Sequence, residues 1–434
     1  MDDVLTKLGG FVSSSDSRLA CAAAVILAEL APRNPAIVRE LIKGLDHPDP
    51  VRRQFIIEAL GRIGTAESAA ALVPLIKAGG QSSELALRAI AHTASTALKP
   101  LLQLIGTVPP ALLERIAECV GRTGEAVAFS SLLEHLQGAD VEVCRAIRGG
   151  LRTAMTTFDD RSKENLRKQL EKGFQDKTLT SQHSSLIALL KISGDLGHIG
   201  LQKYLFDRIE PDEPVHVRRA ALQAIARLHY TGEQRARQAT RLLPLMLESD
   251  IANIAETALE AARAANQEQL GSENGPILRK LLNSPSSRIR EFAMQTLATQ
   301  SSSRTLNELI ACLDNPDRAI REEALSALSR APSAAAPLAE RLLEIKTPEG
   351  VQEVSRALQP QAAQIPPRLL SQFADTYVSH YAGQRSKDAE VLRTNEERRR
   401  ALLAIFRAIQ STALADAALE QAGKLRRKGD EQKA

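Results

Sequence analysis

Four arginines stand second in a phrase that recurs along this chain of 434 residues, and they are its first candidates for chemistry. The phrase reads Val51-Arg52-Arg53, Val217-Arg218-Arg219, Ile289-Arg290-Glu291 and Ile320-Arg321-Glu322. Arginine carries a planar fork of donors suited to carboxylates and phosphates. Stacked repeats would align Arg52, Arg218, Arg290 and Arg321 into a row with two readings. The row grips an acidic peptide or phosphates, or each arginine pairs with a turn carboxylate such as Asp49 or Asp317 and ties repeats together.

Other reactive residue types form no constellation in the sequence. The histidines His47, His92, His135, His183, His198, His216, His229 and His380 fall in unrelated contexts, with no HExxH spacing. Cys21, Cys119, Cys144 and Cys312 lie far apart inside helical patterns, without the close pairs of a zinc site. They read as small buried hydrophobes in a reducing compartment. Gly61-Arg62-Ile63-Gly64 and Gly121-Arg122-Thr123-Gly124 follow no strand and lack the phosphate-loop lysine, so they read as helix ends. The serines at 13–17, 284–287 and 301–303 have no adjacent base and read as loop and cap residues. No catalytic group, metal ligand set or cofactor is expected, and no small-molecule substrate is evident.

Helices must position the arginines. Four residues after each phrase-opening residue come Phe55, Ala221, Ala293 and Ala324, five after come Ile56, Leu222, Met294 and Leu325, and eight after come Ala59, Ile225, Leu297 and Leu328. That spacing is one stripe of an α-helix and not the alternation of a strand. Polar turns with proline precede three of them, at Asp46-His47-Pro48-Asp49, Asn283-Ser284-Pro285-Ser286 and Asp314-Asn315-Pro316-Asp317. Proline disfavours helix before it, while Asp, Asn and Ser cap the helix that follows. Weaker stripes fill the intervals, from Arg18–Leu30 through Glu84–Ala94, Leu112–Val120, Val141–Leu151, Ser184–Ile192 and Ile251–Ala262 to Val351–Leu358. Units of about 30 to 38 residues that cannot bury their own apolar face must stack on one another. Pro74, Pro100, Pro244 and Pro337 sit in apolar contexts of first helices, where a proline bends the helix or marks its first turn.

The composition agrees. Hydrophobic residues make up 44% but aromatics only 3%, with no tryptophan, a palette for helix packing and not for an aromatic-lined pocket. The 56 basic residues against 52 acidic ones create no long-range field that demands a polyanion. The densest apolar run, Leu19–Leu30, is interrupted by Glu29 and falls short of the roughly 20 residues needed to span a bilayer. The acidic start Met1-Asp2-Asp3 does not read as a secretory signal, so a cytoplasmic location is expected if Met1 is the native start.

With proline in first helices, Asp in the turn and Arg near the start of the second helix, the chain resembles the HEAT repeat family. Val51-Arg52-Arg53 followed by Glu58-Ala59-Leu60-Gly61-Arg62-Ile63-Gly64 is similar to the HEAT-like variant first associated with phycobilisome lyases. The resemblance implies an all-α fold, a right-handed α-solenoid (superhelix) of stacked antiparallel helix pairs, with about eleven HEAT-like repeats over 1–360. Leu112–Val120 and Val141–Leu151 depart from it by lacking the arginine, and 153–177 reads as a longer helix or an insertion.

A different organisation is expected after Pro360, because Pro360, Pro366 and Pro367 cannot continue a helix pair. Residues 361–393 read as a proline-containing linker and a helix with Phe373, Tyr377 and Tyr381 on one face, either core packing or a partner face. Residues 394–434 read as a C-terminal helical segment, opened by the capping box Thr394-Asn395-Glu396-Glu397. Within it Arg398-Arg399-Arg400 and 424–428 read as solvated basic faces, and 419–430 looks like the turn of a tetratricopeptide-type repeat cut before its second helix.

The function expected from these features is a non-catalytic scaffold or adaptor that binds protein on a concave surface of second helices. A nucleic-acid-binding reading, with a groove like that of HEAT-like DNA glycosylases, is weakened by the scarcity of aromatics. A phycobilin lyase or isomerase is suggested only by the repeat variant.

Overall fold

The turns predicted by proline and Asp are where the helices break. In the computed structural model Asp49 accepts a hydrogen bond from the Val51 amide at 2.9 Å and starts Pro50–Ile63, and Asp317 accepts one from Ala319 at 2.9 Å and starts Arg318–Ser329. The structure describes residues 2–30, 34–91, 94–248, 252–263, 270, 272–300, 302–382 and 388–409, and every regular element among them is helical. The tetratricopeptide-like turn and the basic stretch at 424–428 lie outside the described residues.

The chain forms two compact units, Met1–His229 and Tyr230–Ala434. In each, helices alternate between two rows, so that every pair packs on the next: an α-solenoid arrangement. In the first unit the second-helix row runs Ser17–Leu30, Pro50–Ile63, Gly80–Ala91, Pro110–Arg122, Val141–Met155, His183–Leu196 and Val215–Ile225, each against the one before it. Asp2–Val12, Pro35–Lys43, Ala66–Ala78, Ala94–Leu104 and Ala126–Glu134 form the other row. The polar stretch after Thr153 is part of this pattern, since the 16-residue helix Asp160–Gln175 packs on Ala126–Glu134 as the next first helix.

The second unit repeats the scheme with Ala252–Arg263, Ser287–Thr299, Arg318–Ser329, Pro348–Leu358 and Ala389–Ala408 as its second-helix row. The prolines at Pro360 and Pro366 do interrupt helix, as a 3-10 turn over Gln359–Gln364 followed by Ile365 in extended conformation. Beyond it the packing continues: Pro367–Ala382 lies on Ala335–Glu344, and Ala389–Ala408 on Pro348–Leu358. The expected break in organisation is thus a turn between two stacked pairs. Gln361 is buried in that turn and donates to the Leu328 carbonyl at 2.9 Å, anchoring it to the preceding pair.

The core takes in most of the apolar stripe read from the sequence, with Ile56, Leu222, Leu297 and Leu328 all at 1% exposure or less, but the phrase-opening Val51 is 56% exposed. Pro74 and Pro100 lie inside first helices, Pro337 near the start of one, and Pro244 in the 3-10 segment Leu243–Leu247.

Candidate functional site

The four phrase arginines point inward. Arg52 and Arg218 are 3% and 2% exposed, too little for a ligand to reach them. Arg52 donates through one terminal nitrogen to the Ser14 carbonyl at 2.8 Å and through the other to Val12. Both acceptors lie at the C-terminal end of Asp2–Val12, where helix carbonyls lack internal partners. Arg218 donates through Nε to the Ile209 carbonyl at 2.9 Å, in the turn of its own pair.

Arg290 and Arg321 are partly buried and each joins two structures. Arg290 meets the carbonyls of Ser284 and Pro285 at 3.0 and 3.2 Å, and Arg321 those of Asn315 and Pro316 at 2.9 and 3.1 Å. Each also reaches a glutamate on the next second helix: Arg290 holds both oxygens of Glu323, and the Arg321 Nε lies 3.5 Å from Glu353. The turn carboxylates Asp49 and Asp317, expected as the partners, instead cap helices, because the first amides of a helix lie closer to them than any guanidinium. Ser17 donates its hydroxyl to Asp49 at 2.6 Å, and this bond first, with the Val51 amide, holds the Asp49 carboxyl below its ordinary range.

Sequence reasoning missed a fifth member of this set. Arg398 reads from the sequence as part of a solvated face, yet it is 8% exposed and donates to the carbonyls of Leu342 at 3.2 Å and Ile345. It thereby closes the end of Ala335–Glu344 as Arg52 closes Asp2–Val12. Only Arg399 and Arg400 of that basic run lie at the surface, paired with Glu396 and Glu397. Thr394 caps no helix, since it is buried inside Ala389–Ala408 and donates to the Lys346 carbonyl at 3.0 Å. The spacing of basic residues gave no sign of this, because Arg398 has no hydrophobic-then-arginine phrase around it.

The aromatic stripe divides. Phe373 has no exposed surface, so it belongs to the core and not to a partner face; Tyr377 is half-buried, and the side chain of Tyr381 lies outside the described residues. Among the described residues no group of three or more His, Cys, Asp or Glu side chains is placed to share a metal ion. No described helix is long and apolar enough to cross a membrane.

Charge is concentrated elsewhere, on the outward stripe of three successive second helices of the first unit. Val141–Met155 carries Arg145, Arg148 and Arg152, His183–Leu196 carries Lys191 and Asp195, and Val215–Ile225 carries Arg219, with Arg227 just beyond its end. Asp195, whose side chain is 4% exposed, is held by Arg148 at 2.7 and 3.1 Å from one side and by Arg227 at 2.6 Å from the other. A lone aspartate in the apolar run 186–196 was the only sequence signal for this clamp. In the second unit a cleft of about 630 Å³ opens between Arg321, Arg341, Glu349 and Glu353, with charges of both signs on its walls.

HEAT repeats match the chain over residues 6–82 and 275–359, so those two stretches are HEAT repeats. None of the curated proteins matches it in sequence. Among solved structures, Kap95p in complex with RanGDP overlaps 96% of this chain and 62% of its own at 11% identity and a TM-score of 0.46. Kap121p overlaps 98% of this chain at 16% identity and a TM-score of 0.43; the chain spans 47% of its length. An engineered protein overlaps 94% of this chain and 99% of its own at 18% identity and a TM-score of 0.28.

Proposed function

We propose that this chain is a non-catalytic scaffold or adaptor that holds a partner protein on the outward stripes of its second helices. One observation carries the reading: the arginines of the repeat phrase are engaged in closing turns and joining helices, while other charged side chains stand outward on three successive second helices of the first unit. A surface of that kind offers many weak, spaced contacts and no enclosed reaction chamber, which suits recognition of another chain. The HEAT repeats matched at 6–82 and 275–359 support the same reading, as an architecture and not as an activity.

The test is affinity capture on the tagged full chain after nuclease treatment, followed by cross-linking and mass spectrometry. A stoichiometric protein cross-linked to Lys191, the one lysine of the described second-helix row, or to the exposed carboxylates of those helices is the expected result. Recovery of nucleic acid alone, released by salt, would overturn the proposal.

A further inference from the structure

We propose that the outward stripe formed by Arg145, Arg148, Arg152, Lys191 and Arg219 in the first unit is a docking site for an extended acidic peptide segment. The proposal rests on the adaptor reading and names the chemistry of its partner.

The charge on this stripe is not balanced from within. Arg145 has Glu142 at 2.7 Å, and Arg148 and Arg227 share the single carboxylate of Asp195. Among the described residues the side chains of Lys191, Arg152 and Arg219 have neither an ion pair nor a hydrogen bond. Lys191 lies between neighbours of its own sign, with Arg148 and Arg145 on the helix before it and Arg219 on the helix after it. Partial burial first, and then those three cations, push its ammonium pKa down, against which Asp195 acts alone. Like charges gathered at a partly desolvated position, in excess of their counter-charges, are relieved by an anion from outside.

The patch is bounded on one side. The preceding second helix, Pro110–Arg122, brings Glu114 and Glu118, and Arg122 is paired with Glu118 at 2.7 Å. The cationic width is therefore three helices. Packed helices lie about 8–10 Å apart, so a peptide in the extended polyproline II conformation, rising about 3.1 Å per residue with every third side chain on one face, crosses one helix every three residues. A segment with Asp or Glu at about every third position would set one carboxylate over each of the three helices. Only three cations are unengaged and no exposed Phe or Tyr ring stands among the described residues of the patch, which favours a short acidic peptide over a nucleic-acid strand that relies on many phosphate contacts and base stacking.

Fluorescence anisotropy on the full chain tests the assignment, with a labelled peptide of Glu-Gly-Ser repeats, its Gln-Gly-Ser counterpart and a single-stranded oligothymidylate, in about 25 mM salt to limit screening. The expected result is binding of the glutamate peptide only. The double variant Lys191→Gln with Arg219→Gln should weaken it about tenfold, while Arg161→Gln with Lys163→Gln, removing the same charge from a first helix, should leave it within about twofold. No binding, equal loss in both variants, or tighter binding of the oligothymidylate would overturn the assignment. A captured protein partner retained by the Lys191→Gln and Arg219→Gln variant would sink this inference alone, whereas absence of any stoichiometric partner would sink the adaptor reading beneath it.

Discussion

Arg290 on one second helix holds Glu323 on the next by two parallel bonds, Nε to Oε2 at 2.9 Å and a terminal nitrogen to Oε1 at 2.7 Å. Their side chains are 11% and 13% exposed, so the pair is sheltered from most solvent screening. The remaining terminal nitrogen closes the turn at Ser284 and Pro285, and one guanidinium thereby fixes both the entry to its own helix and the docking of the next.

Because Arg290 serves two structures and Glu323 one, their substitutions should be unequal. Arg290→Ala should cost about 2–3 kcal/mol, leaving a partly buried carboxylate and two turn carbonyls without their donor, and Glu323→Gln about 1 kcal/mol. Hydrogen exchange checks this: Arg290→Ala should loosen both Ser287–Thr299 and Arg318–Ser329, and Glu323→Gln chiefly the contact between them. Equal loosening by both would show that the turn contacts contribute nothing.

The same pair shows what could be read from the sequence and what could not. The helices were legible because apolar residues four, five and eight after Val51 or Ile320 leave no other regular structure, and the Asp and Pro turns punctuate them. The partner of Arg290 was not legible, because Glu323 is 33 residues away and its proximity is created by stacking. For Arg321 the carboxylate near in sequence is Asp317, but the amides of its own helix claim it first. Arg398 shows the opposite failure, since a run of three arginines gives no clue that the first is turned inward against carbonyls more than 50 residues back.

Two adjacent glycines on Val141–Met155 should respond oppositely to alanine. A Cβ on Gly150 would lie 2.2 Å from the Glu114 carbonyl oxygen and 2.6 Å from the Glu118 nitrogen, which are backbone atoms of the neighbouring helix. A Cβ on Gly149 would meet only the carboxylate end of the Glu114 side chain, which can swing away. Gly150→Ala should therefore destabilise by about 2–3 kcal/mol through helix separation, while Gly149→Ala should be neutral or gain up to about 1 kcal/mol from helix propensity. Thermal melting of the two variants decides it, and a matched loss in both would contradict the close approach.

Acid should destabilise the first unit in a defined window. Glu164 accepts from Arg167 Nε and a terminal nitrogen, both at 2.7 Å, and these bonds lower its pKa to about 2. A carboxylate depressed in the folded state stabilises it above the unfolded pKa of about 4.3 and loses that contribution as pH falls through the folded value. Asp159 and Asp176 are lowered as well, first by the hydroxyls of Ser162 and Thr178, and act in the same direction. The melting temperature should thus fall as pH drops from about 4.3 towards 2, and less steeply in Glu164→Gln. A variant with the wild-type slope would remove Glu164 from this linkage.

Thiol reactivity should follow burial. Cys119 is 7% exposed, and desolvation first, then Glu118, pushes its pKa up to about 11, leaving almost no thiolate at neutral pH. Cys144 is buried and also raised, while Cys21 and Cys312 are raised but partly exposed. Iodoacetamide followed by peptide mass spectrometry should modify Cys21 and Cys312 first, and Cys119 only under conditions that open the helices around it. Early labelling of Cys119 would contradict its burial on the packed face of Pro110–Arg122.

Arg398 carries the last prediction because it joins the final described pair to the one before. Its donors reach Leu342 and Ile345 at the end of Ala335–Glu344, and burial lowers its pKa. Arg398→Met keeps most of the apolar stem and removes the donors, so it separates packing from hydrogen bonding. The unsatisfied carbonyls should cost about 1–3 kcal/mol, localised to Ala389–Ala408 and the turn after Glu344. Hydrogen exchange should rise there while Arg318–Ser329 keeps its protection. Unchanged exchange in Ala389–Ala408 would mean that apolar contacts of Leu402 and Ile405 alone hold this helix on the stack.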